Sequence, residues 1–150
     1  MGGTFTNLHY HIVFSTKQRV ELIKERLQPR LYEYMGGIIR KEGGVLCRIG
    51  GMPDHVHLLA RLRPDVALSA FLRDLKSSSS GWVHRTFRDL YMFDWQDGYA
   101  AFSVSQSQIK KVDHYIAGQR EHHLKRDFKK ELIGLLKAHQ IPYDERYIWD

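Results

Sequence analysis

The sequence predicts an α+β domain of the ferredoxin-like type, β-α-β-β-α-β, followed by two further helices. Four short segments rich in aromatic and β-branched residues show the near-alternation of strands. Between and after them, apolar residues recur at helical spacing. Over all 150 residues there is no repeat, linker or shift of composition, so residues 1–150 read as one domain. Such an order predicts helices over one face of an antiparallel sheet, leaving the other face open for a ligand.

Leu8 to Phe14 is the first strand. Pro29 suits the first position of a helix, where its missing N–H leaves nothing unpaired, and Leu31, Met35, Ile38 and Ile39 make the inward stripe until Gly43-Gly44 stop it. Val45 to Ile49 and His55 to Leu62 are two more strands around the turn cluster Gly50 to Asp54. Ser69 is the expected N-cap of the next helix, with Phe71, Leu72, Leu75, Trp82, Val83 and Phe87 on one side. Inside it, Lys76 is followed by four serines, small polar residues of weak helix propensity. After a loop at 95–98, Tyr99 to Val104 is the fourth strand. Ser105 or Ser107 then caps a helix striped by Ile109, Val112 and Ile116. A last helix runs from about Lys125 to His139, with Phe128, Leu132 and Leu135 or Leu136 inward, and Ile141-Pro142 ends it.

With 43% hydrophobic and 27% charged residues, the chain is ordinary globular material, which excludes disordered and fibrous classes. Its unbroken apolar runs do not exceed four residues, as at Tyr99 to Phe102, far short of the ~20 that a membrane span needs. No basic region followed by an apolar stretch opens the chain, and the one cysteine, Cys47, has no partner for an intrachain disulfide; both point to the reducing cytoplasm. Cys47 itself reads as a small core residue. The net charge is +6, and successive fifty-residue stretches hold eight basic against four acidic residues, six against six, and nine against seven. That spread permits a polyanionic partner without a basic tail.

Nine histidines are the unusual feature. His55 and His57 are two residues apart on a strand, so both point to one face, where paired imidazoles can chelate a metal ion. The plainer reading is two strand histidines that touch nothing, since two ligands make only half a site. His9-Tyr10-His11 repeats the pattern, and there the plainer reading stands. A histidine-triad phosphohydrolase would place a third histidine at Leu59, which excludes that class. Tyr115 is preceded by Lys111 and followed by Gln119 at intervals of four, which puts all three on one helix face beside the apolar stripe. Taken alone, Tyr115 is an amphipathic packing residue.

Together these pieces resemble the HUH endonucleases, and more narrowly the single-tyrosine transposases of small insertion sequences that move as single-stranded DNA. The likeness runs through Tyr10-His-Ile-Val-Phe-Ser-Thr-Lys17, Gly51-Met-Pro-Asp-His-Val-His-Leu-Leu59, Leu72-Arg-Asp-Leu-Lys-Ser77, Gly98-Tyr-Ala-Ala-Phe-Ser-Val104 and His114-Tyr-Ile-Ala-Gly-Gln119. It implies that His55 and His57 bind a divalent metal, that Gln119 is the third ligand, and that Tyr115, on the added C-terminal helices, is the nucleophile. It further implies hairpin ends of single-stranded DNA as substrate, and a homodimer whose tyrosine helix can act on the partner's histidines. Two imidazoles alone suggest zinc or a similar ion, whereas amide, phosphate and water oxygens suit harder cations. The resemblance implies Mg2+, with Mn2+ able to substitute.

The chemistry is coherent. Cleaving a phosphodiester requires charge on its non-bridging oxygens to be neutralised, and a phosphotyrosine stores the broken bond for rejoining. Lys111, one turn from Tyr115, is a candidate electrostatic helper. For DNA contact the candidates are Arg73, Lys76, Ser77 and Lys111, with the aromatic segment Tyr91 to Trp95, because backbones are tracked by cations and hydroxyls and bases stack on rings. The competing reading gives the serines and aromatics to packing. His122, His123, Lys125 and Arg126 read as a solvated helix end. Two other functions remain open: a non-catalytic single-stranded nucleic-acid-binding module, which would present stacking aromatics on its central strands, and a metal hydrolase that uses water and dispenses with Tyr115.

Overall fold

The computed structural model describes residues 2–123 and 127–149. Strands β1 (Leu8–Ser15), β2 (Val45–Met52), β3 (His55–Leu62) and β4 (Ala100–Val104) form one antiparallel sheet in the order β2-β3-β1-β4, the ferredoxin-like arrangement. Helices α1 (Gln28–Lys41) and α2 (Leu68–Thr86) are its crossovers, and α3 (Ile109–Ala117), α4 (Gln119–His122) and α5 (Phe128–Ala138) follow β4. Among the described residues, no helix is long and apolar enough to cross a membrane.

Central strands β1 and β3 are buried on both faces because the pleat divides two kinds of side chain. Ile12, Phe14, Val56, Leu58, Ala60 and Leu62 point to α1 and α2 and pack with Leu31, Met35, Ile39, Phe71, Leu72, Leu75 and Val83. Residues of opposite parity point the other way. There Val13 joins Phe102, Phe128, Leu132 and Leu136, and Leu59 joins Val104 and Ile116.

That second face differs from the open one expected. Helices α3 and α5 cover it, burying the stripes Ile109–Val112–Ile116 and Phe128–Leu132–Leu136 against Leu59, Val104, Val13 and Phe102. Gly50 permits the close fit: a Cβ there would stand 2.5 Å from the Ile116 carbonyl oxygen, so only glycine lets α3 lie against β2.

Several local expectations shift. β2 runs on to Met52, so the turn before β3 shrinks to Pro53-Asp54. Ala67, not Ser69, is the N-cap residue of α2, with no side-chain cap. Ser105 is the N-cap residue of a short 3-10 turn that runs into α3, without a side-chain cap bond, and Gln108 takes that position for α3 itself. The last helix starts at Phe128, capped by the Asp127 carboxylate accepting from the Lys130 N–H at 3.0 Å; the start expected at Lys125 lies outside the described residues. Cys47 is exposed, since the irregular register at Leu46/Arg48 on edge strand β2 turns it out of the core.

Candidate metal and nucleophile site

The β2–β3 hairpin builds the first half of the site. Its turn residue Asp54 places a carboxylate oxygen 2.7 Å from His55 Nδ1, which leaves Nε2 facing the covered side of the sheet. His57 lies one pleat further on, with its Nδ1 2.8 Å from His11 Nε2 of β1 and its Nε2 likewise facing inward. Both rings are fully buried.

The helices supply the rest. The tyrosine helix is interrupted: α3 ends at Ala117, Gly118 leaves helical geometry (φ −93°, ψ 19°), and Gln119 starts α4. The single helix face expected for Lys111, Tyr115 and Gln119 is therefore broken after Tyr115, yet the kink turns Gln119 inward. Its Oε1 stands 3.2 Å from His55 Nε2. Lys111 stays on the exposed side.

One residue unforeseen in the sequence joins these groups. Glu131 of α5 is fully buried, with Oε1 2.9 Å from His57 Nε2 and 3.2 Å from His55 Nε2. Its Oε2 accepts the hydroxyl hydrogen bond of Tyr115 and one from Gln119 Nε2 at 3.0 Å. The signal was present: Phe128, Glu131, Leu132 and Leu135 fall at i, i+3, i+4 and i+7, so an acid occupies a slot of the inward stripe. His123 also points in, with Nε2 3.1 Å from Gln119 Oε1 and 3.2 Å from Glu131 Oε1. This corrects its reading as part of a solvated helix end; a polar cluster beneath α5 offers the imidazole more partners than water does at the surface. The side chain of His122, with Lys125 and Arg126, lies outside the described residues.

Electrostatics follow from burial and partners. Burial alone would raise the Glu131 carboxyl, but hydrogen bonds from His55, His57 and Tyr115 hold it far below the usual carboxylate range. Burial disfavours the His55 imidazolium, yet Asp54 and Glu131 overcome it and push its pKa up to about 9. Burial lowers His57 despite the Glu131 charge, and burial beside His57 lowers His11 to about 3. Without an ion, His55 and Glu131 therefore form a buried ion pair next to two neutral imidazoles.

The donor set fits a divalent cation: one ligand atom each from His55, His57 and Glu131 lie within 4.8 Å of one another, with the Gln119 amide oxygen alongside.

The remaining candidates divide between two grooves. Arg73, Lys76 and Ser77 line one of about 340 Å³, with Ser80 and Tyr99; there Lys76 Nζ donates to the Gln96 and Gly98 carbonyls at 2.6 and 2.7 Å. Ser79 is buried beneath it and accepts from Trp95 Nε1 at 2.9 Å, so that serine allows close packing. Phe93 and Trp95 belong to the core, whereas Tyr91 is 74% exposed. Lys111 lines a second groove, about 420 Å³, together with Tyr115, His11, Ser105, Gln108 and His139.

Residues 4–119 match the protein family described as Transposase IS200 like. The chain is 25% identical over 124 residues to the ISDra2 transposase TnpA of Deinococcus radiodurans, covering 79% of this chain and 89% of the relative. It is 29% identical over 134 residues to the transposase for insertion sequence element IS200 of Salmonella typhimurium, covering 81% and 82%. Among solved structures, a transposase-like protein of Deinococcus radiodurans R1 superposes with TM-score 0.66 at 26% identity, over 79% of this chain and 95% of that one. The REP-associated tyrosine transposase bound to a REP hairpin shares the fold with TM-score 0.60 at 16% identity, over 82% and 74%. Glu131 and α5 lie beyond the residues matched by the family.

Proposed function

We propose that this chain, which belongs to the IS200-like transposase family, cleaves and rejoins single-stranded DNA at hairpin-bearing ends of a mobile element through a 5′-phosphotyrosine on Tyr115. The observation that carries the reading is the single carboxylate between nucleophile and ligands: Glu131 takes the Tyr115 hydroxyl on one oxygen and both histidine Nε2 atoms on the other. The attacking oxygen is thereby held one carboxylate's width from the place where a phosphate would be bound, the proximity that covalent catalysis needs.

His55, His57 and Gln119 would hold a divalent ion, with Glu131 in reach of the same position. Mg2+, or Mn2+ in its place, would neutralise the non-bridging oxygens of the scissile phosphate. Tyr115 forms the new O–P bond, the P–O3′ bond breaks, and the 3′ oxygen leaves as a hydroxyl. The reverse attack by a 3′ hydroxyl rejoins strands without ATP. Lys111 lines a groove with Tyr115 and would contact the incoming backbone there, and the groove of Arg73, Lys76 and Ser77 would be a second contact surface. A hairpin and two DNA ends are much for one small domain, which favours a two-fold homodimer. Acting on chromosomal DNA puts the protein in the prokaryotic cytoplasm, nucleoid-associated when bound.

The test is incubation of labelled single-stranded hairpin ends with Mg2+. A covalent protein–DNA adduct that maps to the Tyr115 peptide and vanishes in His55→Ala and His57→Ala is expected. Binding should weaken with salt, and sedimentation should show a dimer at micromolar protein. Equal cutting of a perfect duplex refutes the single-strand specificity, and cleavage with no adduct replaces the tyrosine mechanism by water-dependent hydrolysis.

A further inference from the structure

We propose that His11 is a positioning residue for the ligand His57, holding that imidazole so that its Nε2 faces the metal position. The proposal rests on the reading that His55 and His57 hold a divalent ion. It goes beyond that reading by giving work to a histidine that neither nucleophile nor ligand set employs.

The register explains how the two rings meet. Val13 lies opposite His57 and His11 opposite Leu59, so His11 is the diagonal cross-strand neighbour of His57 on one face, within reach of aromatic side chains. The rings lie 5.1 Å apart and stack at 30°, with His11 Nε2 2.8 Å from His57 Nδ1. A tilted contact to Phe102 and an edge contact to Tyr115, at 5.9 and 6.0 Å between ring centroids, hold the His11 ring in turn. It is 3% exposed, so the bond lies in a largely desolvated setting.

The two ligands are thus braced by different chemistries. His55 has the Asp54 carboxylate on Nδ1; His57 has a neutral imidazole. A nitrogen that ligates a cation presents its lone pair, so the ring's proton sits on the other nitrogen and needs an acceptor. His11 Nε2 is that acceptor. When no ion is bound and His57 Nε2–H donates to Glu131, the same bond runs in reverse, with His11 donating to His57 Nδ1. An imidazole serves both directions and adds no charge; a carboxylate at position 11 would serve only the first. This amphoteric brace lets His57 keep one orientation with and without an ion.

The experiment is calorimetric titration of the full chain with Mn2+, for wild type, His57→Ala, His11→Phe and His11→Gln, with far-UV circular dichroism of each metal-free protein. His11→Phe keeps the ring but offers no acceptor, and its Mn2+ affinity should fall about 10–100-fold. His11→Gln retains both a donor and an acceptor and should restore most of that loss. Long-range 15N–1H correlation of the Mg2+-loaded wild type should place the His57 proton on Nδ1. Wild-type affinity in His11→Phe overturns the proposal, as does a loss in His11→Gln equal to that in His11→Phe, or a His57 proton on Nε2 in the loaded protein. Should His11→Phe not fold, the glutamine variant and the wild-type spectrum decide. Unchanged Mn2+ binding in His57→Ala would refute the metal site itself, whereas its loss beside a wild-type His11→Phe refutes only the role of His11.

Discussion

The two faces of the sheet are built from the same strands, one residue apart, yet they follow different rules. On the α1/α2 face, Ile12, Phe14, Val56, Leu58 and Ala60 pack among aliphatic and aromatic side chains, with the Lys76 ammonium over the Phe14 ring as a charged neighbour. There the driving force is non-directional burial, and neighbours of similar volume can replace one another with small losses. On the α3/α5 face, His11, His55, His57, Gln119 and Glu131 are equally buried, but each needs a particular partner at hydrogen-bond distance. Every group left unmatched in such a network carries a full desolvation penalty. One face makes the scaffold tolerant of sequence; the other spends that tolerance on a polar site.

The sharpest way to break the contrast is at Tyr115, the proposed nucleophile. Tyr115→Phe removes only a hydroxyl and should abolish the covalent adduct on single-stranded ends, while stability falls by about 1–3 kcal/mol as the buried Glu131 loses one of its donors. An adduct of wild-type yield in that variant, seen on a denaturing gel, would detach chemistry from this face.

Glu131→Ala comes next. It strips the buried His55 imidazolium of its charged partner and should lower stability by about 3–5 kcal/mol, read by denaturant unfolding of metal-free protein. Added Mn2+ should recover part of the lost midpoint, because two imidazoles and the Gln119 amide remain to bind it.

Leu58→Ala on the opposite face should lower stability by about 2–5 kcal/mol through a cavity. Here Mn2+ should recover nothing beyond its effect on wild type, and adduct yield per folded molecule should hold. A metal-sensitive Leu58→Ala would show that the two faces are coupled.

The smallest effect is that of pH on metal-free protein. The folded-state pKa of His55, about 9, lies above the ordinary ~6.5, so its contribution is complete below about 6.5 and is lost as pH rises through about 9. His57 and His11 are shifted downward, so their contribution is present above about 6.5 and fades as pH falls. The melting midpoint in EDTA should therefore peak near pH ~6.5, and His55→Asn should flatten the alkaline side alone. An alkaline limb unchanged in that variant would remove His55 as its source.

Much of the site was legible because it depends on short-range periodicity. The two-residue step from His55 to His57 places both on one strand face whatever surrounds them. The four-residue step from Tyr115 to Gln119 survived only in outcome, since Gly118 breaks the helix between them. His123 was expected in a solvated helix end and Glu131 was not singled out, for one reason: polar residues near helix ends and among lysines usually face water, even where, as at Glu131, one fills a slot of an inward stripe. His11 carried the same His-x-His signature as His55, and nothing local distinguished a strand histidine that meets an imidazole of the neighbouring strand from one that touches nothing.

By itself, the sequence determined the strands, the helical stripes, the β-α-β-β-α-β order and which side chains share a face, because backbone geometry over two to four residues sets those relations. Only the tertiary structure decided that the second face is closed, and that α5 brings Glu131 onto the same atoms as β3 and α3. Glu131 is 74 residues from His57 and 16 from Tyr115. Contacts over such separations follow from where apolar stripes find surface to bury and from which buried charges find partners. Those are conditions on the assembled protein, and no window of sequence contains them.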